Sequence, residues 1–291
     1  MLRLRWLILV LAVALVTAGM LAVACGGGDD DDSSDDTDDT GDDTGDDTVD
    51  DTGDDTGDDT GDDTGDDDTG TGTFGGIVVD YLTSAPKVGA TVELLNNATG
   101  ESFDPAITGT TDADGAISFT NVPAGETQVG VKVDMTSYMT TIQYYFAVGV
   151  ADANILAVSN TTVALMAGTL GVTVDEAKGQ VAGKVYWVPD TGDAEGVGCA
   201  VVTTDPVDDL IFYFGALLPD PAYTHTNPDN SAFAALNVDP GAVTITATVD
   251  ANVAQNVLPK LYANSICITN VDYLFADYAT NPTPGGCTAG K

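Results

Sequence analysis

The segments NVPAGETQVGVKVD, residues 121–134, and NVDPGAVTITATVD, residues 237–250, have the same length and the same pattern. Each begins with Asn-Val, contains a turn marked by glycine, and continues as a strand in which apolar residues hold every second position. Such alternation is typical of a β-strand with one buried face. Because the block occurs twice, the sequence predicts two related β modules.

Blocks upstream of these segments repeat in the same order. Residues 88–92 align with 197–201, and residues 76–78 align with 183–185. Short alternating runs separated by glycine and proline favour antiparallel sheets packed as sandwiches. The predicted fold class is all-β, with two tandem antiparallel β-sandwiches that each fold on their own.

The predicted domains are a first sandwich, a connection, and a second sandwich with a C-terminal tail, at residues 73–158, 159–178 and 179–291. The connection contains one predicted short helix, residues 160–168. Asn160 is its candidate N-cap, and either Gly168 or Gly171 ends it.

The first copy contains five short motifs: GIVVD (76–80), VGATV (88–92), TDADG (111–115), ISF (117–119) and NVPAG (121–125). This set resembles the carboxypeptidase regulatory-like and Cna B-type families over residues 74–135. The resemblance implies a transthyretin-like sandwich. The second copy, residues 179–252, departs from the pattern because a longer insert lies between Thr203 and Thr226.

The amino terminus has the build of a secretory signal, with Arg3 and Arg5 ahead of an apolar run and small residues before Cys25. The segment LAVACG, residues 21–26, resembles the lipobox of bacterial lipoproteins. That resemblance implies a diacylglycerol on the Cys25 thiol and stable attachment to a membrane. The alternative is a single membrane-spanning helix over residues 6–24.

The residues after Cys25 bear on localisation. Gly26 stands where many lipoproteins retained at the inner membrane have aspartate, so the resemblance favours the outer membrane. The acidic residues that follow are similar to surface-export signals, which makes exposure on the cell surface a hypothesis.

Residues 26–72 form a predicted disordered acidic linker. Residues 36–72 mostly repeat Asp-Asp-Thr-Gly, which offers no apolar face to bury. Of the 46 acidic residues, 23 lie within residues 29–68. Calcium binding is an alternative, but the repeat lacks the spacing of a twelve-residue calcium loop, which favours weak counterion binding.

The remainder of the chain still has 23 acidic residues against six basic ones. This excess of negative charge repels phosphate backbones and anionic lipid surfaces. We therefore exclude nucleic acid as a partner and keep the lipid on Cys25 as the route to the membrane.

Three further cysteines follow, and an oxidising compartment favours one disulfide among them. The repeat alignment puts Cys199 in the place of Ala90, an inward position. The predicted pair is therefore Cys267 with Cys287, which would hold the C-terminal tail against the second sandwich.

No catalytic, metal or cofactor site is predicted. His225 is the single histidine, it lies in a turn-like context, and no nearby residues offer zinc-ligand spacing. Some Cna B-type modules contain an internal isopeptide bond. Lys184 stands in the opening strand of the second copy, but Glu195 lies in the wrong part of the pattern, so we expect no such bond.

The sequence favours a non-catalytic envelope lipoprotein with a structural or protein-interaction role. The main alternative is a carbohydrate-binding surface module, since sandwiches with exposed aromatic residues often stack on sugars. An accessory domain protein of an envelope enzyme is less favoured. The candidate aromatic residues are Tyr144, Tyr145, Trp187, Tyr213 and Tyr262, and the ligand-binding residues themselves stay unknown at this stage.

Overall fold

The computed structural model describes residues 71–207, 210–216, 218–274 and 276–288. The predicted signal sequence, Cys25 and nearly all of the acidic linker lie outside these residues. The described residues contain sixteen β-strands and one short helix.

The first sandwich is built from seven strands. They are β1 (Gly72–Asp80), β2 (Thr91–Asn96), β3 (Ser102–Thr110), β4 (Ala116–Val122), β5 (Gln128–Asp134), β6 (Tyr138–Ala147) and β7 (Ala153–Ser159). One sheet has the order β3-β2-β5-β6, and in the other β1 lies between antiparallel β4 and parallel β7. Apolar side chains from both sheets form a buried cluster that includes Phe74, Val92 and Val131.

Helix α1 (Asn160–Leu170) connects the two sandwiches and confirms the predicted helix. Its N-cap is Ser159 and not Asn160, because the Ser159 hydroxyl accepts a hydrogen bond from the Thr162 N–H. Gly171 ends the helix in the left-handed conformation, at φ 69°.

The second sandwich contains the remaining nine strands. They are β8 (Gly179–Val188), β9 (Glu195–Gly196), β10 (Val201–Asp205), β11 (Ile211–Phe214), β12 (Pro219–Asp220), β13 (Ala232–Val238), β14 (Gly241–Val249), β15 (Asn252–Leu261) and β16 (Ser265–Leu274). One sheet has the order β12-β11-β13-β8-β16, with β9 paired to β8, and the other has the order β10-β14-β15. The predicted all-β fold is confirmed.

The opening strands of the two sandwiches, β1 and β8, have equivalent neighbouring strands in an equivalent register. Gly76 of β1 lies opposite Ile117 of β4 and Ala153 of β7. Gly183 of β8 lies opposite Phe233 of β13 and Thr269 of β16. A side chain at either glycine would collide with the parallel neighbour, so glycine allows the close approach of the two backbones.

A buried threonine makes the same hydrogen bonds in both copies. The Thr111 hydroxyl accepts from the Ala90 N–H at 2.9 Å, and the Thr226 hydroxyl accepts from the Ala200 N–H at 2.9 Å. Each threonine N–H in turn donates to the carbonyl of the same alanine. This pairing makes Ala90 equivalent to Ala200, whereas the sequence alignment matched Ala90 with Cys199.

The insert of the second copy changes sheets. In the first sandwich β3 pairs with β2, whereas in the second β11 pairs with β13 of the opposite sheet, and β12 extends β11. The second sandwich therefore has a broad main sheet of six strands, including the short β9, facing a three-stranded sheet.

The two sandwiches are joined by one hydrogen-bonded sheet and by a buried cluster to which both contribute. Strand β16 pairs in parallel with β8 along most of its length and with β6 at residues 265–267. Because β6 also pairs with β7 at residues 138–139, thirteen strands form one hydrogen-bonded sheet. Leu95, Ile142 and Tyr144 of the first sandwich pack in the same buried cluster as the core of the second. This arrangement differs from the expectation of two self-sufficient modules.

We predict that Gly183→Ala strongly destabilises the protein. An ideal Cβ there would lie 1.6 Å from the carbonyl oxygen of Thr269, so the two strands must separate, at a cost of about 3 kcal/mol or more. Gly168→Ala is the control, since its Cβ meets nothing within 4 Å and alanine favours a helix by about 0.5–1 kcal/mol. Urea unfolding of both variants should show opposite shifts in midpoint, and equal midpoints would contradict the close packing.

A second prediction concerns residues 71–178 produced alone. This fragment exposes the free edge of β6 together with Leu95, Ile142 and Tyr144. Each large apolar side chain that becomes exposed lowers the free energy of unfolding by about 1.5–3 kcal/mol. That total is comparable to the whole free energy of unfolding of a small domain. The fragment should unfold at a clearly lower urea concentration than residues 71–291, and identical midpoints would show that the modules are independent.

Candidate ligand-binding groove

An open groove of about 620 Å³ lies where β6 and β16 separate. The two strands pair only at residues 140–142 and 265–267. Beyond these residues β6 stays paired with β5, and β16 stays paired with β8. In the described part of the chain, the other edge of each strand faces the gap between the sandwiches. The groove is thus a consequence of two twisted sheets that share a short segment of pairing.

Tyr145 forms part of the groove wall in an unusual backbone conformation. A register shift opposite Gly130 places Tyr145 at a φ of 69°, which is rare for a bulky residue. Its N–H donates to the Asn97 side chain at 2.7 Å, and its hydroxyl donates to the Val257 carbonyl. Contacts with both sandwiches therefore hold this side chain at the groove, where 39% of it is exposed.

Side-chain amides supply much of the polar surface of the groove. Gln143, Gln255, Asn256 and Asn270 all line it. Asn256 donates to the Thr269 hydroxyl at 2.8 Å and to the Asn270 carbonyl at 2.7 Å, which gives the base of the groove a defined geometry. Each amide can both donate and accept hydrogen bonds.

One cation and one carboxylate also line the groove. Lys184 lies opposite Asn270, and Tyr186 lies opposite Asp272, in the parallel pair of β8 and β16. The Lys184 amino group is 5.9 Å from the centre of the Tyr186 ring. Desolvation by the surrounding protein raises the pKa of the Asp272 carboxyl, although part of the side chain is exposed. With one charge of each sign, the groove has little net charge.

The structure removes most of the predicted aromatic candidates from the surface. Tyr144 and Tyr213 are buried, and their hydroxyl groups are hydrogen-bonded to the backbone of Lys260 and Val202. Two others make structural hydrogen bonds through their polar ends, namely Trp187 to the Tyr278 carbonyl and Tyr262 to the Gly100 carbonyl. Of the five candidates, Tyr145 alone is both exposed and in the groove.

Tyr186 was not among the sequence-predicted aromatic candidates, although it lies next to the candidate Trp187 in β8. Alternation puts Tyr186 on the opposite face from Val185, and that face lines the groove. The alternation of side chains along β8 therefore already indicated which face Tyr186 is on. What was absent was any indication that this face meets another sandwich and not open solvent.

The predicted disulfide was wrong. The structure joins Cys199 to Cys287, and Cys267 is a free, wholly buried thiol near the start of β16. Because the true alignment is shifted by one residue, Cys199 matches Gly89 and not Ala90. Both have a positive φ, 59° and 73°, at a turn before the strand that is outside the core, where a side chain at position 199 can reach the tail.

The tail is held at further points besides the disulfide. Thr283 accepts a hydrogen bond from the Gly198 N–H at 2.9 Å, and Asn281 donates to Glu195 at 3.1 Å. Burial raises the pKa of the Cys267 thiol, which keeps it protonated and chemically inert. A disulfide of Cys287 therefore holds the tail, as predicted, but its partner is Cys199 and not Cys267.

Lys184 lies next to Asn270 on adjacent parallel strands, while Glu195 is exposed on β9. The absence of an isopeptide bond stays a prediction. The intact mass checks it, because bond formation releases one ammonia molecule.

None of the helices among the described residues is long and apolar enough to cross a membrane. Taken together, the strands and the groove residues define a double β-sandwich with an open, amide-lined groove.

Comparisons with known proteins add little to this description. No protein-family model matches the sequence, and no curated protein matches it either. Among solved structures, the Bacillus anthracis TIE protein is similar at 11% identity over 70% of this chain and 33% of that protein, with a TM-score of 0.23. This chain therefore spans about a third of the TIE protein.

Two other solved structures are similar at comparable levels. The minor pilin GBS52 of Streptococcus agalactiae shares 9% identity over 72% of this chain and 98% of the pilin, with a TM-score of 0.24. A candidate carbohydrate-binding protein of Bacteroides uniformis shares 12% identity over 64% of this chain and 97% of its own length, with a TM-score of 0.23. At these TM-scores the likeness carries no functional argument.

We predict that Cys267 is the one free thiol among the three cysteines. Native protein should resist iodoacetamide, and Cys267 alone should become labelled in denaturant. Non-reducing peptide mapping should recover Cys199 linked to Cys287. Because the bond closes a loop with a sequence separation of 88, removing it should lower the free energy of unfolding by about 4–5 kcal/mol. A linked peptide that contains Cys267 would contradict this assignment.

Proposed function

We propose that this protein is a non-catalytic module of the cell envelope that binds a neutral glycan chain in the groove between its sandwiches. The observation that carries the proposal is the combination of tyrosine rings, side-chain amides and balanced charge along one open groove. The groove is continuous across both sandwiches, which suits an elongated ligand.

The groove chemistry matches the needs of a sugar. Hydroxyl groups require partners that both donate and accept, and amide side chains do both. The apolar faces of sugar rings can pack on the rings of Tyr145 and Tyr186, which combine an apolar body with a polar end. Without a surplus of charge in the groove, a neutral chain incurs no electrostatic penalty.

Binding without catalysis is supported by the acidic groups available. Glycoside hydrolysis usually needs a pair of carboxylates on opposite sides of the bond that breaks. Among the described residues that line the groove, Asp272 is the single carboxylate. This composition suits retention of a glycan better than its cleavage.

Attachment to the envelope is the second part of the proposal. A lipid on Cys25 would anchor the chain, with Gly26 favouring the outer membrane. The linker of residues 26–72, fully extended at about 3.3 Å per residue, would reach on the order of 150 Å. The groove could then contact glycan outside the layer of lipid headgroups.

The test uses residues 71–291 on a glycan array, followed by calorimetry with the glycans that bind. Tyr186→Ala should weaken binding by about tenfold, the equivalent of about 1.4 kcal/mol, because a stacking surface is lost. Tyr223→Ala is the matched control, since Tyr223 lies outside this groove.

Binding of glycans that is unchanged by Tyr186→Ala would exclude the groove as the site. If no glycan binds and a pull-down from envelope extract captures a protein partner, the structural or protein-interaction role replaces the glycan proposal.

A further inference from the structure

Three side chains that can bind a metal ion come together at the tail of the second sandwich. The ligand atoms of Cys199, His225 and Cys287 all lie within 4.8 Å of one another, and all three residues are partly exposed. In the described parts of the chain no other group of three such residues meets this distance. His225 is also the one histidine of the whole sequence.

The positions of these residues are set by the hydrogen bonds of the second copy. The Cys199 N–H donates to the Thr226 carbonyl at 2.8 Å, which fixes the turn of Cys199 against the turn that contains His225. Cys287 reaches the same place from the tail, whose Thr283 is bonded to Gly198. Three distant segments of sequence therefore converge on one point of the surface.

We propose that the reduced form of this cluster is a zinc site, with Cys199, Cys287 and His225 as three ligands and water as the fourth. Zn²⁺ in proteins is typically tetrahedral and is bound by thiolate sulfur and imidazole nitrogen. The half-exposed position of the cluster leaves room for a solvent ligand. The disulfide form has no thiolate to offer, so the oxidation state of the sulfur atoms decides whether the metal binds.

The chemistry balances with a dithiol as the reductant. The dithiol transfers two electrons and two protons to the Cys199–Cys287 bond, which breaks to give two thiols, and the dithiol becomes a disulfide. Zinc then binds both sulfur atoms as thiolates, and the two thiol protons pass to solvent.

The backbone geometry already suits two sulfur ligands. The Cα atoms of Cys199 and Cys287 are 5.9 Å apart. With Zn–S bonds of about 2.3 Å in a tetrahedral site, the two sulfur atoms need a separation of about 3.8 Å. Gly285 and Gly286 precede Cys287, and glycine gives the tail the freedom for this adjustment.

The hydrogen bonding of the imidazole leaves one ring nitrogen available as a ligand. His225 Nδ1 lies 3.1 Å from the carbonyl oxygen of Thr226. The tautomer that donates this hydrogen bond leaves the lone pair on Nε2. Histidine ligands of zinc commonly donate their second ring nitrogen to a backbone carbonyl in this way, which fixes the ring.

The experiment uses the full chain in detergent, reduced with dithiothreitol, desalted under argon and titrated with Zn²⁺ in excess Mg²⁺. The Mg²⁺ occupies weak carboxylate sites, including those of the acidic linker. The reduced chain should bind one equivalent of Zn²⁺, and the oxidised chain should bind none. Titration with Co²⁺ should give the thiolate charge-transfer band and the strong visible bands of a tetrahedral site.

Variants identify the ligands. His225→Ala and Cys287→Ser should each weaken Zn²⁺ binding by more than about 100-fold, beyond the loss typical of an outer-shell partner. Cys267→Ala is the matched control, since it also removes a cysteine but should keep full affinity. Circular dichroism of each reduced variant checks that the sandwiches stay folded.

The proposal is overturned if the folded, reduced chain binds no Zn²⁺. It is also overturned if His225→Ala and Cys287→Ser bind as tightly as the parent chain, or if Cys267→Ala alone abolishes binding. None of these results depends on whether the groove binds a glycan.

Discussion

The parallel pairing of β16 with both β8 and β6 is the interaction on which the rest of the structure depends. Strand β16 completes the main sheet of the second sandwich and hydrogen-bonds to the edge of the first over residues 265–267. Such close packing of β16 on β8 is possible because Gly183 has no side chain to oppose Thr269. One strand thereby joins two sheets, two cores and the walls of the groove.

The shared sheet also explains how a binding surface arises without a loop-built pocket. Twisted strands diverge after a few residues of pairing, and the gap between β6 and β16 is the result. Tyr145 bridges the two sandwiches from this gap through hydrogen bonds to Asn97 and Val257. The groove walls come mostly from strands of the thirteen-stranded sheet, and Gln255 and Asn256 of β15 are added from the other sheet of the second sandwich.

The two copies show which features a duplicated sandwich keeps and which it can change. The opening glycine, the register of its neighbours and the buried threonine recur in both copies. The glycine allows the close approach of two backbones, and the threonine satisfies buried backbone groups. The insert between β10 and β13 was free to move to the opposite sheet, because edge strands can be added wherever an edge is open. The tail and its disulfide are additions to the second copy.

The sequence by itself determined the all-β class, the twofold repeat and the single helix, because alternation with period two and capping residues are local properties of the chain. It also determined the excess of negative charge, from which we expect no binding to nucleic acid. The tertiary structure alone decided the cysteine pairing, the position of Tyr186 at the groove and the meeting of His225 with Cys199 and Cys287. A one-residue error in the alignment moves a side chain to the other face of a strand, and contacts between distant segments depend on how sheets join, which no local pattern records.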